Sequence, residues 1–259
     1  MDKNAFEFCG KLIQIIGFYF PGVNAPVDNV FNLGCFGNFF QSPLTVRGYI
    51  FKTAEAAYQG FKFPPRIIKE FVNADTGDEA YFLSRNRYPV TQYNPVEAWC
   101  TMWEVLTAKF QQETLKKNLV DTGDSFLLEH GRETRWSNNG DGSGSNWLGL
   151  QLMILRDLFR PHAERFWFPK FKKMLDLNTG TFIDQGAKDW QKLVMDATQI
   201  VLSCLKETKC ILVGCNQPKK VGFEFCSKTC FDLVCVRSGC NKPKWSGHDF
   251  CGKTCSTKR

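Results

Sequence analysis

The sequence predicts an α+β protein, mainly α, with a small β element near the N-terminus and two small four-cysteine units at the C-terminus. Three observations predict it. Two runs of alternating or continuous apolar residues stand close to the N-terminus, a series of capped amphipathic segments fills the middle, and a cysteine-rich repeat closes the chain. At 259 residues the chain is long enough for one substantial core and a smaller appendage. A hydrophobic content of 43% with 24 phenylalanines describes a folded chain and excludes a disordered one.

The strands come first. Leu12–Tyr19 (LIQIIGFY) and Leu44–Phe51 (LTVRGYIF) are predicted strands, the second broken by a tight turn at Arg47-Gly48. Between them Phe36–Pro43 (FGNFFQSP) reads as a loop that sets Asn38 among aromatics. Thr53 then caps a helix, AEAAYQGFKF, stopped by Pro64-Pro65. On it Glu55, Gln59 and Lys62 share one face, while Ala54, Ala57, Tyr58 and Phe61 serve the core. That polar stripe is either a solvated face or the wall of a site.

The next helix opens at Asn94-Pro95-Val96-Glu97. Asparagine caps, proline takes the first helical position and glutamate follows three after the cap. It carries Trp99, Met102, Trp103, Leu106 and Phe110 inward and is predicted to run to about Asn118. The segment DTGDSFLLEHG reads as a further helical turn bringing Glu129 and His130 before the next loop. His130 has no partner at ligand spacing and reads as structural.

From Trp136 to Arg156 the chain alternates glycines (Gly140, Gly142, Gly144) and then runs into LGLQLMILRDLF. There Leu148, Leu152, Leu155 and Phe159 give a helix one buried face. A glycine loop feeding a helix start offers unpaired N–H groups beside the positive end of the helix dipole, a good place for phosphate. The competing reading is a flexible linker. The shortness of the loop and the bracketing Trp136 and Trp147 favour an anion site. Neither a Walker loop nor a dinucleotide fingerprint is matched. Two amphipathic segments follow, about His162–Leu175 (kinked at Pro169) and Asp184–Lys206.

The last segment repeats with a period of 25: GCNQPKKVGFEFCSKTC (Gly214–Cys230), then GCNKPKWSGHDFCGKTC (Gly239–Cys255). Its cysteines are Cys210, Cys215, Cys226 and Cys230, then Cys235, Cys240, Cys251 and Cys255. Two pairs of closely spaced thiols about ten residues apart suit a tetrahedral all-thiolate zinc site. Such sites are structural, because four thiolates leave no position for water. A disulfide framework is the alternative. The longest apolar run, Leu12–Phe20, is too short to span a bilayer, and no basic n-region precedes it. A reducing intracellular compartment, cytoplasm or nucleus, is therefore expected, with no membrane partner. The net charge of +7 resides in the tail: Leu205–Arg259 holds eleven Lys/Arg against four Asp/Glu, and the first 204 residues are neutral. An anionic partner for the tail is expected, nucleic acid or a modified macromolecule.

With these segments on the page, the chain resembles the NADAR (YbiA-like) family of N-glycosidases. The matching segments are FGNFFQSP, TAEAAYQGFKF, MWEVLTAKFQQ (Met102–Gln112), TGDSFLLE (Thr122–Glu129), and Trp136 with DGSGSNWLGLQLMILR. The tail units resemble FCS-type zinc modules. The chain departs from the family where Gly37, Ala56 and Ser137 stand in place of serine, histidine and glycine. The resemblance implies a YbiA-like orthogonal helical bundle over residues 1–175, then a connecting helix (176–208) and tandem zinc repeats (209–259).

It further implies hydrolysis of a ribose C1′–N bond in a ribosyl nucleotide or an ADP-ribose-type substrate. Structural zinc at two sites and no catalytic cofactor are expected. Glu55 is then the carboxylate near C1′ and Asp141 the second carboxylate. Trp136 stacks on a base; Asn38, Gln59 and Asn146 bond sugar or base edges; and the amides of Gly142 and Gly144 with Lys62 or Arg156 meet phosphate. Lys62 pairing only with Glu55, and Arg156 only closing its helix, remain open. So do two other functions: a non-catalytic ADP-ribose reader and a nucleic-acid-binding zinc protein.

Overall fold

The computed structural model describes residues 5–19, 33–88 and 93–207. The chain divides into two units, and the elements below belong to the first, residues 1–23 with 27–200, up to Ile200 in the last helix. The eight tail cysteines lie outside the described residues.

β1 (Ala5–Phe8) and β2 (Lys11–Tyr19) form an antiparallel hairpin through Cys9-Gly10. β3 (Gln41–Val46) and β4 (Tyr49–Thr53) form a second one, with the expected turn at Arg47-Gly48. Both turn residues have positive φ, 49° and 79°, the primed geometry that matches strand twist and that glycine adopts without strain. The exposed–buried alternation of β3 places Leu44 and Val46 in the core and lifts Thr45 to solvent.

α1 (Ala54–Gly60) starts where Thr53 Oγ1 accepts the Ala56 amide at 3.1 Å. It ends at Gly60, short of the prolines. Pro65 opens a new helix, α2 (Pro65–Asn73), because a proline at the first helical position lacks only an amide that would be unpaired anyway. α3 (Gly77–Phe82), capped by Thr76, passes into a π-helical turn, Leu83–Arg87. β3, β4, α1 and α2 close on a core of Leu44, Val46, Phe51, Ala57, Ile68 and Phe71.

α4 (Pro95–Lys109) begins as expected, Asn94 Oδ1 accepting the Val96 amide at 2.8 Å. It does not reach Asn118. Beyond Lys109 the chain tightens, Gln111 N bonding Ala108 O, and a separate helix α5 (Glu113–Asp121) follows. The break lets α5 bury Leu115 and Leu119 independently of α4.

The expected helical turn at DTGDSFLLEHG is instead β5 (Phe126–His130), parallel to β2 with Ile15 opposite Phe126 and Phe18 opposite Glu129. A parallel strand buried on both faces reads as a continuous apolar run, which periodicity cannot separate from a buried helix. The sheet order is β1-β2-β5. α6 (Trp147–Phe159) packs on β5 and is buried from Leu148 to Asp157, so it lies inside the core and not on its surface with one face covered. The helix expected from His162 begins later, as α7 (Phe168–Met174), with Pro169 in its first turn and not at a kink; Asp157 accepts the amides of Trp167 and Phe168 at 2.6 and 2.8 Å. A short hairpin, β6 (Leu175–Asp176) with β7 (Thr181–Phe182), precedes α8 (Gly186–Glu207). The fold is mixed α/β, about half helical, and its strands are not confined to the N-terminus. No described helix is long and apolar enough to cross a membrane.

Candidate active site

α1, the π-helical turn after α3, β5 and the loop after β5 enclose a cleft of about 640 Å3, room for a nucleotide. Glu55 stands in its wall. As the second residue of α1 it is held by its own amide, which donates to Asn38 O at 2.9 Å across the loop before β3. Its side chain starts a relay that runs along α1 and into the turn after it: Gln59 Nε2 donates to Glu55 Oε1 at 2.7 Å, and Lys62 Nζ donates to Gln59 Oε1 at 2.7 Å. The polar stripe is therefore a buried wall, Glu55 and Gln59 each only 6% exposed, and not a solvated face.

Burial pushes the Glu55 carboxyl up to about 7, against the Gln59 hydrogen bond and the Lys62 charge, which pull it down. The same burial lowers the Lys62 ammonium, with Glu55 opposing. Lys62 Nζ rests 4.4 Å from the Tyr58 ring centroid and 5.5 Å from that of Tyr93. Trp136 lines the cleft with its ring edge-on to Tyr58 (5.2 Å, 80°) and to Trp147 (5.7 Å, 77°). Asn38 is buried beside Glu55, its Oδ1 without a hydrogen-bond partner among the described residues.

Of the residues expected at the site, Asn38, Glu55, Gln59, Lys62 and Trp136 line this one cleft; Asp141, Gly142, Gly144, Asn146 and Arg156 do not. Asp141 is exposed and caps Ser143, accepting from its amide at 2.8 Å and its hydroxyl at 2.6 Å, which holds the carboxyl below its usual range.

The glycine loop is not a free anion nest. Gly140 N donates to Asn138 Oδ1 (3.0 Å); Gly142 and Gly144 N both donate to Asn138 O (2.8 and 3.2 Å). Asn146, Trp147 and Leu148 N donate to Ser137, Arg135 and Trp136 carbonyls, at 3.0 to 3.1 Å. The helix-start amides expected to meet phosphate are thus consumed inside the loop. Asn146 is fully buried: its Oδ1 accepts the Glu129 amide and its Nδ2 donates to Leu127 O, both at 2.9 Å. Arg156 is also fully buried, donating to Thr122 Oγ1 at 2.8 Å, and burial lowers its guanidinium to about 10. Both make their hydrogen bonds inside the fold.

The cleft is also lined by residues that no spacing in the sequence marks as a site: Tyr58 and Tyr93, the arginines Arg85, Arg132 and Arg135 at the rim, and the carboxylates Glu129 and Glu133. A glutamate inside the apolar run FLLEH was the available signal for Glu129, hidden while that run read as helix. Lys109 is completely buried behind the site, donating to Gly37 O at 2.8 Å, with its ammonium lowered to about 7 by desolvation. It fixes the loop that carries Asn38. Among the described residues no cluster of His, Cys, Asp or Glu suits a metal ion.

The NADAR domain matches residues 28–160, which take in every residue of this cleft. The chain belongs to the NADAR family. It is 32% identical over 154 residues to a protein of Vibrio vulnificus (strain YJ016) named as a riboflavin biosynthesis protein, covering 58% of this chain and 40% of that one. It is 32% identical over 135 residues to the N-glycosidase YbiA of Escherichia coli (strain K12), covering 48% of this chain and 80% of YbiA. The N-glycosidase YbiA of Shigella flexneri serotype 5b (strain 8401) is likewise 32% identical over 132 residues, with the same coverage. The NMR structure of the E. coli protein YbiA overlays with a TM-score of 0.47 at 28% identity, covering 56% of this chain and 86% of that one. The chain thus spans well under half the length of its Vibrio relative and most of YbiA. The cysteine repeats lie beyond the matched domain.

Proposed function

We propose that this NADAR protein is an N-glycosidase that hydrolyses the ribose C1′–N bond of a ribosyl nucleotide or an ADP-ribose-type substrate. The observation that carries the reading is the Glu55–Gln59–Lys62 relay buried in the wall of a nucleotide-sized cleft. Relatives named as N-glycosidases support it.

Cleaving a ribosyl C1′–N bond develops positive charge on the sugar, and a carboxylate beside C1′ stabilises that charge or takes a proton from the attacking water. Glu55 is suited to it. Gln59 and Lys62 favour its charged form, while burial keeps it basic enough to accept a proton near neutral pH. Trp136, Tyr58 and Tyr93 offer rings against a base or ribose face. Phosphate goes to the rim arginines Arg85, Arg132 and Arg135, in place of the glycine loop whose amides are taken. Incubation with ADP-ribosylated guanine nucleotides and with ribosylaminopyrimidine phosphates, followed by mass analysis of the products, tests the activity. Release of the free base or amine is the expected result, and intact substrates in both series would refute it.

The tail carries two further proposals, both resting on its sequence register. Each four-cysteine unit holds one structural zinc ion: Cys210, Cys215, Cys226 and Cys230 in the first, Cys235, Cys240, Cys251 and Cys255 in the second. Protein purified without chelator should contain two zinc ions per chain; fewer than one ends the idea. The lysines of these units, Lys219, Lys220, Lys228, Lys242, Lys244 and Lys253, with Trp245, dock the enzyme on an anionic macromolecule such as nucleic acid. Cutting the chain after Thr208 should leave turnover of small nucleotides nearly unchanged. The same cut should weaken action on ADP-ribosylated nucleic acid and remove most of its salt dependence. Equal handling of both substrate sizes by the truncated protein would make the tail something other than an anion dock.

A further inference from the structure

The cleft holds a second buried carboxyl that hydrolysis at Glu55 leaves without a role. Glu129 lines the same cavity, is 8% exposed, and its Oε2 has no hydrogen-bond partner among the described residues. Its backbone is clamped from both sides: the amide donates to Asn146 Oδ1 at 2.9 Å, and the carbonyl accepts from Asn138 N at 2.9 Å. Two buried asparagines and a parallel strand therefore hold this one side chain at the cavity. An unpaired carboxyl is an expensive thing to bury, which makes its position a functional signal.

The two carboxyls sit in opposite surroundings. Glu55 receives a hydrogen bond from Gln59 and faces the Lys62 ammonium, and both favour its charged form. Glu129 faces Glu133 from the following loop and Glu55 from α1, and both favour its neutral form. Lys109 from α4 is the cation that opposes them, and it is itself tied to Gly37 O. The partner residue across β2 is the apolar Phe18, and α6 presents Asn146. Burial first, then Glu133 and Glu55, raise Glu129 to about 8. Paired carboxyls pushed apart in this way divide into an acid and a base.

We propose that Glu129 is a second catalytic residue, the acid that protonates the departing nitrogen while Glu55 serves the water. This rests on the N-glycosidase reading. The C1′–N bond breaks with its electron pair going to nitrogen, and nitrogen takes the proton from the Glu129 carboxyl. Water adds its oxygen to C1′ and gives its proton to the Glu55 carboxylate. One water is consumed, sugar and base leave, and proton exchange with solvent restores both carboxyls. Activity should therefore rise with pH as Glu55 ionises near 7 and fall as Glu129 ionises near 8.

The test compares the full-length wild type with Glu129→Gln, an isosteric change, on an ADP-ribosylated guanine nucleotide and on a ribosylaminopyrimidine phosphate. Both lose an amine nitrogen that must be protonated. The variant should lose kcat by about 100-fold with KM within about threefold, and its alkaline limb should disappear. If Lys62 set that limb, Glu129→Gln would keep it, and the proposal would fall. Turnover of the variant within about threefold of wild type, a loss far below the scale of a positioned acid, would overturn it equally. Infrared titration supplies a readout apart from turnover: a protonated-carboxyl band lost near pH 8 in wild type and absent from Glu129→Gln supports the assignment, and an unchanged band refutes it. Should Glu129→Gln misfold, Glu129→Asp carries the test, keeping the alkaline limb with kcat down about tenfold. A wild type idle on both substrates instead removes the N-glycosidase reading, and the role of Glu129 with it.

Discussion

Replacing Glu55 with glutamine should lower kcat by at least ~100-fold, about 2.7 kcal/mol of barrier, while KM moves by no more than about threefold. The amide has the shape of the carboxyl, so the neighbouring Gln59 and Lys62 keep a partner in the relay. The change removes only the charge and the proton acceptor. The fold should not suffer. The Glu55 carboxyl titrates near 7 in the folded chain against 4.5 for the free group, so the native state binds its proton more tightly. Stability attributable to this group is fully present below about pH 4.5, falls as pH rises toward 7, and stays low beyond. A neutral glutamine avoids that loss, and the thermal midpoint of Glu55→Gln at pH 8 should equal or exceed that of wild type. A variant that turns over at the wild-type rate would remove Glu55 from the chemistry. A variant that changes only ligand affinity, in a protein with no turnover, would mark a non-catalytic reader.

The second large effect is expected at Gly149, which does not line the cleft. A methyl there would sit 2.1 Å from Leu127 O and 2.7 Å from both ends of the Asn146 carboxamide, all three buried. α6 lies against β5 at a spacing that only a hydrogen side chain permits. Gly149→Ala must therefore push the helix off the strand and break the Asn146 bonds to Leu127 and Glu129. Overpacking of this severity costs about 3 kcal/mol, a fall of roughly 6–12 °C in Tm for a domain of this size. Activity should fall with it, because the same asparagine holds the Glu129 backbone. Thermal melting checks the first part; a shift below about 2 °C would show that the helix yields without disturbing the strand.

Much of the site was legible locally because its signals act within about two helical turns. Thr53 caps α1, and spacing alone sets Glu55 and Gln59 on one face, with Lys62 in the turn just beyond. What spacing does not carry is whether that face meets water or a cleft. Asn38 stands out in the sequence by its place among aromatics, and its location beside Glu55 depends on the hydrogen bond that the Glu55 amide donates to Asn38 O. Of the residues in the family segments, Asn38, Glu55, Gln59, Lys62 and Trp136 meet at one cleft, while Asn146 and Arg156 make their hydrogen bonds inside the fold.

The sequence by itself determined the Arg47-Gly48 hairpin, the start of α1, the Asn94-Pro95 start of α4, the glycine loop before α6, and the register of the two cysteine units. Each depends on residues within a few positions of one another. Only the tertiary structure decided that FLLEH is a strand, since its partner β2 lies far away along the chain and an apolar run looks the same in helix or sheet. That pairing brings Glu129 to the cleft as its second buried carboxyl, while Asp141 does not line it. Tertiary structure alone also decided that the glycine-loop amides are spent. A free N–H and one bonded to Asn138 have the same sequence, and what separates them is the path by which the loop folds back on its own carbonyls.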